Sequence, residues 1–215
     1  MSYSMVLFDL DGTLLQSGEG IINGMRHALD KLGVTLPANF DGRVFIGPPL
    51  RYSLSVLLHL PDEQAEEGVR LYREYYNVKG YVEAAPYPGI MDLLAELQKR
   101  NTCVCLATSK YCTLAERMAD HFGFRPFLQG IYASDGTEKS SAKKAIIESA
   151  LTAFPDSASA PVMVGDTRYD AEGAREAGVP FIGVTFGYGT REELRAEGCQ
   201  TFADTPMQLR NLLLQ

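Results

Sequence analysis

Short apolar runs alternate with amphipathic stretches along most of the 215-residue chain. The apolar runs, rich in β-branched residues, lie at residues 5–8, 103–107, 130–133, 161–164 and 180–184. Helical patterns lie between or after them, at residues 90–100, 114–122, 142–151, 169–177 and 206–213. Continuous apolar strands that alternate with helices are typical of a parallel sheet covered on both faces. The pattern therefore predicts an α/β fold with a doubly wound, Rossmann-like parallel sheet.

Residues 16–81 interrupt this alternation, because they contain helical patterns at 20–32, 50–60 and 62–76 but no convincing buried strand. The interval is too long for one crossover helix, so an inserted helical subdomain is the simplest interpretation. The chain would return to the sheet near Pro86-Tyr87-Pro88-Gly89, whose prolines and glycine suit a linker. We therefore predict a core of residues 1–15 and 83–215, with residues 16–82 as an all-α cap.

Composition is that of a globular protein, with 46% hydrophobic and 22% charged residues. A net charge of −7 and a pI near 5.0 argue against nucleic acid as a partner, since such binders usually carry a basic stripe. No apolar run is long enough to cross a bilayer and no signal-peptide pattern opens the chain, so we expect no membrane partner and a cytoplasmic location. The cysteines lack zinc-site spacing, and Cys103 and Cys105 are expected to pack as small apolar side chains.

The first apolar run leads into Asp9 and Asp11, followed by Gly12. Side chains at i and i+2 of a strand share one face, so both carboxylates are expected to point the same way. Like charges this close resist joint ionisation unless a cation neutralises them or one acid keeps its proton for proton transfer. A strand that ends in an Asp-rich turn is the structural alternative, because Asp and Gly are common turn residues.

Further polar residues follow the later strands, and in α/β sheets ligands collect beyond the carboxyl ends of strands. These residues are Thr108 and Ser109 after the second predicted strand, Lys139, Lys143 and Lys144 before the fourth, and Asp166 and Asp170 after it. Several acids without a neighbouring histidine or thiol suit Mg²⁺, while a lysine and a hydroxyl suit phosphate oxygens. The sequence thus predicts Mg²⁺ and a phosphorylated ligand at one edge of the sheet.

The chain resembles the haloacid dehalogenase-like (HAD) phosphohydrolase superfamily in four motifs that occur in the same order. They are Asp9-Leu10-Asp11-Gly12-Thr13, the strand end at Thr108, a downstream lysine, and Gly165-Asp166-x-x-x-Asp170. The resemblance covers essentially the whole chain. Within the superfamily the chain is similar to the phosphoglycolate phosphatase and 5′-nucleotidase-like branch, whose helical cap is inserted directly after the first motif.

The resemblance implies that Asp9 is the nucleophile and forms an aspartyl-phosphate. Asp11 would protonate the leaving oxygen, later activate water, and offer its backbone carbonyl to the metal. Asp166 would bind Mg²⁺ directly, and Asp170 would bind it through water or orient Asp166, so the implied metal set is Asp9, Asp11, Asp166 and Asp170. On their own, Asp166 and Asp170 would also suit a helix N-terminus, where Asp caps free N–H groups.

The resemblance also implies a phosphate-binding group of Thr108, Ser109 and one lysine. Many relatives place a proline after that lysine, and this chain has none. Counting from the preceding turn to the apolar helix face favours Lys143 over Lys139 and Lys144, which would then lie on a solvated helix face.

In the cap, Gly47-Pro48-Pro49-Leu50-Arg51 resembles the segment that faces the active site in this branch. Arg51 and Arg43 are therefore candidate contacts for an anionic group of the substrate. Arginines exposed to solvent are the alternative.

These features predict a Mg²⁺-dependent phosphatase, a monomer or homodimer, that acts on phosphoglycolate or a nucleoside 5′-monophosphate. A phosphomutase is the alternative within the fold, although such relatives tend to carry valine where this chain has Thr13. A haloacid dehalogenase would need neither Asp11 nor a metal. A non-enzymatic phospho-acceptor domain would be shorter and would lack the cap.

Overall fold

The computed structural model of the chain describes residues 3–136 and 142–215. Two units are present: one is Ser17–Ala85, and the other combines Met1–Gln16 with Pro86–Gln215. Among the described residues, every helix is too short or too polar to span a membrane.

The smaller unit is helical. Its helices are α1 (Gly18–Leu32), α2 (Leu50–Tyr52) and α3 (Asp62–Tyr76), with a π turn at Ser53–Leu57 and 3-10 turns at Gly42–Phe45 and Gly80–Val82. A Cβ atom at Gly24 of α1 would lie 2.9 Å from the Tyr72 ring of α3, so glycine lets the two helices approach closely. Buried side chains of α1, the π turn and α3, including Met25, Leu54 and Ala65, form the core of this unit.

One predicted helix of this unit differs from the structure. The helical pattern at 50–60 becomes the short α2 and the π turn, which ends at Leu57. His59 then adopts a left-handed backbone conformation with φ of 53°, and Pro61 follows. Neither residue suits a helix interior, because a left-handed residue and a proline both interrupt the backbone hydrogen bonds.

The larger unit contains a six-stranded sheet with strand order β5-β4-β1-β6-β7-β8. Its strands are β1 (Met5–Phe8), β4 (Cys103–Tyr111), β5 (Gly130–Ser134), β6 (Pro161–Gly165), β7 (Phe181–Val184) and β8 (Thr201–Ala203). All pairs are parallel, which confirms the predicted α/β class. Two short strands, β2 (Leu15–Gln16) and β3 (Ala85–Pro86), form a separate sheet.

Helices connect the strands of the larger unit. They are α4 (Ile90–Lys99), α5 (Cys112–His121), α6 (Lys143–Ala153), α7 (Arg168–Glu176), α8 (Arg191–Ala196) and α9 (Pro206–Leu213), with a 3-10 turn at Arg125–Phe127. The sequence pattern missed α8 and β8, because each is short and carries few buried residues. The cysteines Cys103 and Cys105 are free and buried in the apolar core, as predicted.

Strand β1 lies at the centre of the sheet, between β4 and β6. Its register places Leu7 opposite Cys105 on one side and Met163 on the other. Every residue of β1 is fully buried, so the strand is anchored by apolar contacts on both faces and by neighbours on both edges. The end of this strand is therefore a rigid point from which to project functional side chains.

Replacing Leu7 by alanine should lower the free energy of unfolding by about 2–5 kcal/mol, because it leaves a cavity in the central strand. Urea denaturation followed by circular dichroism measures this loss. Met207 of α9 is 62% exposed, and Met207→Ala should change stability by no more than about 0.5 kcal/mol. Equal losses for the two variants would contradict the proposed anchoring of β1.

Candidate active site

The predicted polar residues meet at one edge of the six-stranded sheet. Asp9 directly follows β1, Thr108 lies near the end of β4, and Asp166 directly follows β6. Because parallel strands present their carboxyl ends at the same edge, residues that are remote in sequence converge there. The Asp9 N–H donates to the Val164 carbonyl at 2.9 Å, which extends the strand pairing as far as the carboxylate residue.

Lys143, the first residue of α6, contacts two of the predicted carboxylates. Its Nζ lies 2.7 Å from Asp9 Oδ1 and 2.7 Å from Asp170 Oδ1, and it donates to the Ala107 carbonyl at 3.0 Å. The residue is 7% exposed. By contrast, Lys144 is exposed and its Nζ lies 3.9 Å from Glu148, while Lys139 lies outside the described residues.

Three acids form a buried cluster suited to a cation. Carboxylate oxygens of Asp9, Asp166 and Asp170 all lie within 4.8 Å of one another, and each residue is buried. Lys143 supplies one positive charge against these acids, so the cluster has an excess of negative charge when all are ionised. Oxygen ligands with surplus negative charge fit a hard divalent cation, which would also offset the cost of burying like charges together.

The pKa values reflect this crowding. Burial raises the pKa of Asp9 to about 7 against the attraction of Lys143, and the charges of Asp170 and Asp11 add to the rise. Burial is the main cause that raises the pKa of Asp166 well above its usual range, and the charges of Asp170 and Asp9 add to the rise. Burial alone would lower the pKa of Lys143, but Asp170 and Asp9 outweigh it and hold that pKa above its usual value. The cation-free site therefore holds protons on Asp9 and Asp166 more tightly than free aspartate does, while Lys143 stays charged.

Asp170 is held at both of its carboxylate oxygens. Oδ1 faces Lys143, and Oδ2 accepts hydrogen bonds from the Thr167 N–H at 3.0 Å and the Thr167 hydroxyl at 2.8 Å. The bond from the Thr167 N–H is one half of a capping box at the start of α7; in the other half the Thr167 side chain accepts from the Asp170 N–H. Asp170 therefore caps the start of α7 and also belongs to the acidic cluster.

Asp11 lies beside a lysine that the sequence did not single out as a site residue. The Nζ of Lys110 is 2.9 Å from Asp11 Oδ2, and the Lys110 side chain is only 8% exposed. The other oxygen, Oδ1, is buried and has no hydrogen-bond partner among the described residues. Strand β4 continues four residues beyond its predicted end at Ala107, and this extension carries Lys110 to the site edge.

The predicted phosphate-binding residues on β4 lie on the same extension. Thr108 is 2% exposed, and its Oγ1 accepts a hydrogen bond from the Lys110 N–H at 3.3 Å. Ser109 is half-buried. Their predicted role stays a prediction.

The two arginines predicted to meet substrate are paired inside the smaller unit. Arg51 donates to Glu66 Oε1 at 2.5 Å and to Asp62 Oδ1 at 3.0 Å. Arg43 donates to Asp41 at 2.7 Å. A contact with substrate would have to compete with these carboxylates, and the predicted role of both arginines stays a prediction.

Asp166 is oriented by residues that sequence reasoning missed. The Tyr188 N–H donates to Asp166 Oδ2 at 2.7 Å, and the Thr13 hydroxyl donates to Oδ1 at 3.5 Å. A backbone donor leaves no side-chain signature, so Tyr188 could not be identified from a motif. Thr13 does lie inside the first motif, directly after Gly12.

The sequence matches a known protein family and is similar to several named proteins. Residues 6–184 match the family described as haloacid dehalogenase-like hydrolase. The chain is similar to a 5′-nucleotidase of Pseudomonas aeruginosa, 35% identical over 99% of this chain and 96% of the relative. It is also similar to a phosphoglycolate phosphatase of Caulobacter vibrioides, 29% identical over 97% and 91% of the two chains. The tyrosine-protein kinase PtkA of Mycobacterium tuberculosis is 33% identical over 87% of this chain, which spans 64% of that protein.

A solved structure agrees with the fold over its full length. A predicted phosphatase from Clostridium acetobutylicum superposes with a TM-score of 0.90 at 32% identity, covering 100% of this chain and 99% of that chain. The motif-based resemblance is therefore confirmed both in sequence and in fold.

The raised pKa of Asp9 predicts that a divalent cation binds more tightly as pH rises. Below about pH 7, a cation must displace the proton on Asp9, whereas above it the carboxylate is already ionised. Displacing one proton should weaken affinity by about tenfold for each pH unit below 7. The increase in melting temperature on adding MgCl₂, measured at about pH 8 and about pH 5.5, should be larger at the higher pH.

Asp166→Asn serves as the control for this measurement, since it removes one carboxylate from the cluster and should reduce the MgCl₂ effect at both pH values. An equal effect at both pH values in the unmodified protein would show that Asp9 does not exchange a proton for the cation.

Proposed function

Because the chain belongs to the haloacid dehalogenase-like hydrolase family, an enzyme family as predicted, we propose that it is a Mg²⁺-dependent phosphatase. It hydrolyses a small phosphate monoester through an aspartyl-phosphate on Asp9. The observation that carries the proposal is the Lys143 ammonium, held 2.7 Å from both Asp9 and Asp170 inside the acidic cluster. Such a group binds phosphate oxygens next to the attacking carboxylate.

Asp9 is the proposed nucleophile. Its carboxylate attacks phosphorus in line, the bond from phosphorus to the leaving oxygen breaks, and the phosphoryl group becomes attached to Asp9. Asp9, Asp166 and Asp170 would hold Mg²⁺, which supplies positive charge that favours ionised Asp9 and offsets the charge of the phosphate. The position of Asp9 at the end of the central strand fixes the direction of attack.

Lys143 and Thr108 hold the transferring group. Lys143 already bridges Asp9 and Asp170, so a phosphate oxygen near Asp9 falls within reach of the same ammonium. Thr108 is buried at the end of β4 and offers a hydroxyl donor. Both contacts favour the transition state, because charge builds up on the phosphoryl oxygens during transfer.

Asp11 is the proposed acid and base. It donates a proton to the leaving oxygen and later takes a proton from the water that hydrolyses the aspartyl-phosphate. Proton transfer of this kind typically supplies about 10² to 10⁴ in rate. Lys110 contacts Asp11 Oδ2 and leaves the buried Oδ1 for the proton.

We assign substrate selection to a cap formed by residues 16–82, most of which lie in the helical unit Ser17–Ala85. Phosphoglycolate and nucleoside 5′-monophosphates are the two candidate substrates, supported by the names of the Caulobacter and Pseudomonas relatives. Arg51 and Arg43 are the candidate cap contacts for an anionic substrate group. The cytoplasmic location and the monomeric or homodimeric state stay predictions.

A panel of phosphate esters tests reaction class and substrate together. With Mg²⁺ present, purified protein should release inorganic phosphate from phosphoglycolate or a nucleoside 5′-monophosphate. Asp9→Asn should reduce the rate on the best substrate by about 10⁴-fold or more, because the covalent step is lost. Borohydride reduction of the unmodified enzyme during turnover, followed by mass spectrometry, should place the acyl-phosphate on Asp9. Retained activity in Asp9→Asn would overturn the assignment.

The matched pair Lys143→Ala and Lys144→Ala tests the phosphate-binding lysine. The two residues are neighbours on α6, but Lys143 is buried against the acids whereas Lys144 is exposed. Lys143→Ala should reduce kcat/KM by at least about 10²-fold, equivalent to losing one charged hydrogen bond of about 3 kcal/mol, and Lys144→Ala should have little effect. Circular dichroism checks that both variants fold. Similar losses in the two would exclude a special role for Lys143.

A further inference from the structure

The loop after β7 encloses the Asp166 side chain. We call residues 186–189 the Asp166 loop. The Tyr188 N–H donates to Asp166 Oδ2 at 2.7 Å, in the middle of this loop. Gly187 precedes Tyr188 and Gly189 follows it.

Both glycines lie too close to Asp166 for any larger residue. A Cβ atom at Gly187 would lie 2.4 Å from Asp166 Oδ2 and 2.4 Å from the Gly12 carbonyl oxygen. A Cβ atom at Gly189 would lie 2.1 Å from the Asp166 carbonyl oxygen. Neither contact is relieved by turning a flexible side chain, because each includes a backbone atom. The loop therefore fits around Asp166 only with glycine at both positions.

Tyr87 anchors this loop from another part of the chain. Its ring packs edge to face against Phe186, with ring centroids 4.8 Å apart. Both residues are half-buried. Phe186 directly precedes Gly187, so this ring contact ties the start of the loop to the segment that follows β3.

We propose that the Asp166 loop and Tyr87 are positioning elements that set the affinity of Asp166 for its cation. The contact chain runs from the Tyr87 ring to the Phe186 ring, along the loop backbone to Tyr188, and from the Tyr188 N–H to Asp166 Oδ2. Groups that orient a metal ligand commonly change metal affinity by about 10- to 100-fold when they are removed. The inference rests on the metal-binding role of Asp166 in the proposed function.

A double-mutant cycle on the two packed rings tests the proposal. Tyr87→Leu and Phe186→Leu each delete one ring of the pair but keep the Tyr188 backbone N–H. Isothermal titration with MgCl₂, without substrate, should show each single variant binding about threefold to tenfold more weakly than the unmodified protein. The double variant should lose less than the sum of the two single losses, because both single variants already lack the same ring contact.

Phe40→Leu is the matched control for the ring deletions. The Phe40 ring packs on Phe45 in the helical unit with ring centroids 5.3 Å apart, so its loss should leave the Mg²⁺ dissociation constant unchanged. Unchanged affinity in Tyr87→Leu, additive losses in the double variant, or the same loss in Phe40→Leu would each overturn the positioning role.

A glycine pair provides a second, independent measurement. Gly187→Ala should weaken Mg²⁺ binding by about 10- to 100-fold, since the new methyl group would displace the Asp166 carboxylate. Gly183→Ala crowds Leu194 at 2.8 Å in the same region, so it should lower the melting temperature without weakening Mg²⁺ binding. If Gly187→Ala fails to fold, the cycle on the Tyr87 and Phe186 rings alone decides. Equal weakening by the two alanine variants would overturn the proposal.

Failure of the proposed function gives a different result. If the unmodified protein itself takes up no Mg²⁺ in the titration, the metal role of Asp166 is wrong and the positioning role falls with it. If the unmodified protein binds Mg²⁺ and the Tyr87→Leu and Phe186→Leu variants bind it equally well, only the positioning role is wrong.

Discussion

The attraction between the Lys143 ammonium and the Asp9 and Asp170 carboxylates holds the candidate site together. The three groups come from the start of α6, the end of β1 and the first turn of α7, so this triad connects three elements of the fold. Each charge would be costly to bury alone, and each is acceptable because the others are present. Burial, with the neighbouring negative charges, raises the pKa of Asp9. The acids outnumber the amine, and this surplus negative charge creates affinity for a cation.

The strand order of the sheet determines where the site residues lie relative to one another. Asp9 and Asp166 follow neighbouring strands, and Thr108 lies on the strand at the other side of β1. Short backbone contacts then fix the side chains: the capping box holds Asp170, and the Tyr188 N–H holds Asp166. Main-chain hydrogen bonds thus add to the Lys143 contacts in fixing Asp166 and Asp170, and a backbone donor is less affected by substitution than a long side chain.

Hydrophobic pattern predicted the parallel sheet. The family resemblance of the motifs predicted which acids and which lysine lie at its edge, and Lys143 does contact Asp9 and Asp170 there, while its phosphate-binding role stays a prediction. Lys143 was distinguishable from Lys144 because only one of two adjacent helical residues can share a face with the apolar positions. The donor at Tyr188 was invisible, since every residue carries a backbone N–H. The pairing of Arg51 with Glu66 and Asp62 was equally hidden, because it depends on how a three-residue helix and α3 meet.

The full burial of β1 determines when the site is lost as the protein unfolds. The amides of the central strand exchange with solvent only when the whole larger unit opens, whereas the edge strands β5 and β8 can fray by themselves. The residue next to Phe8 is Asp9, so its placement has the same kinetic protection as the most stable part of the sheet. Partial melting at either border leaves Asp9 in register, and its displacement coincides with cooperative unfolding of the larger unit.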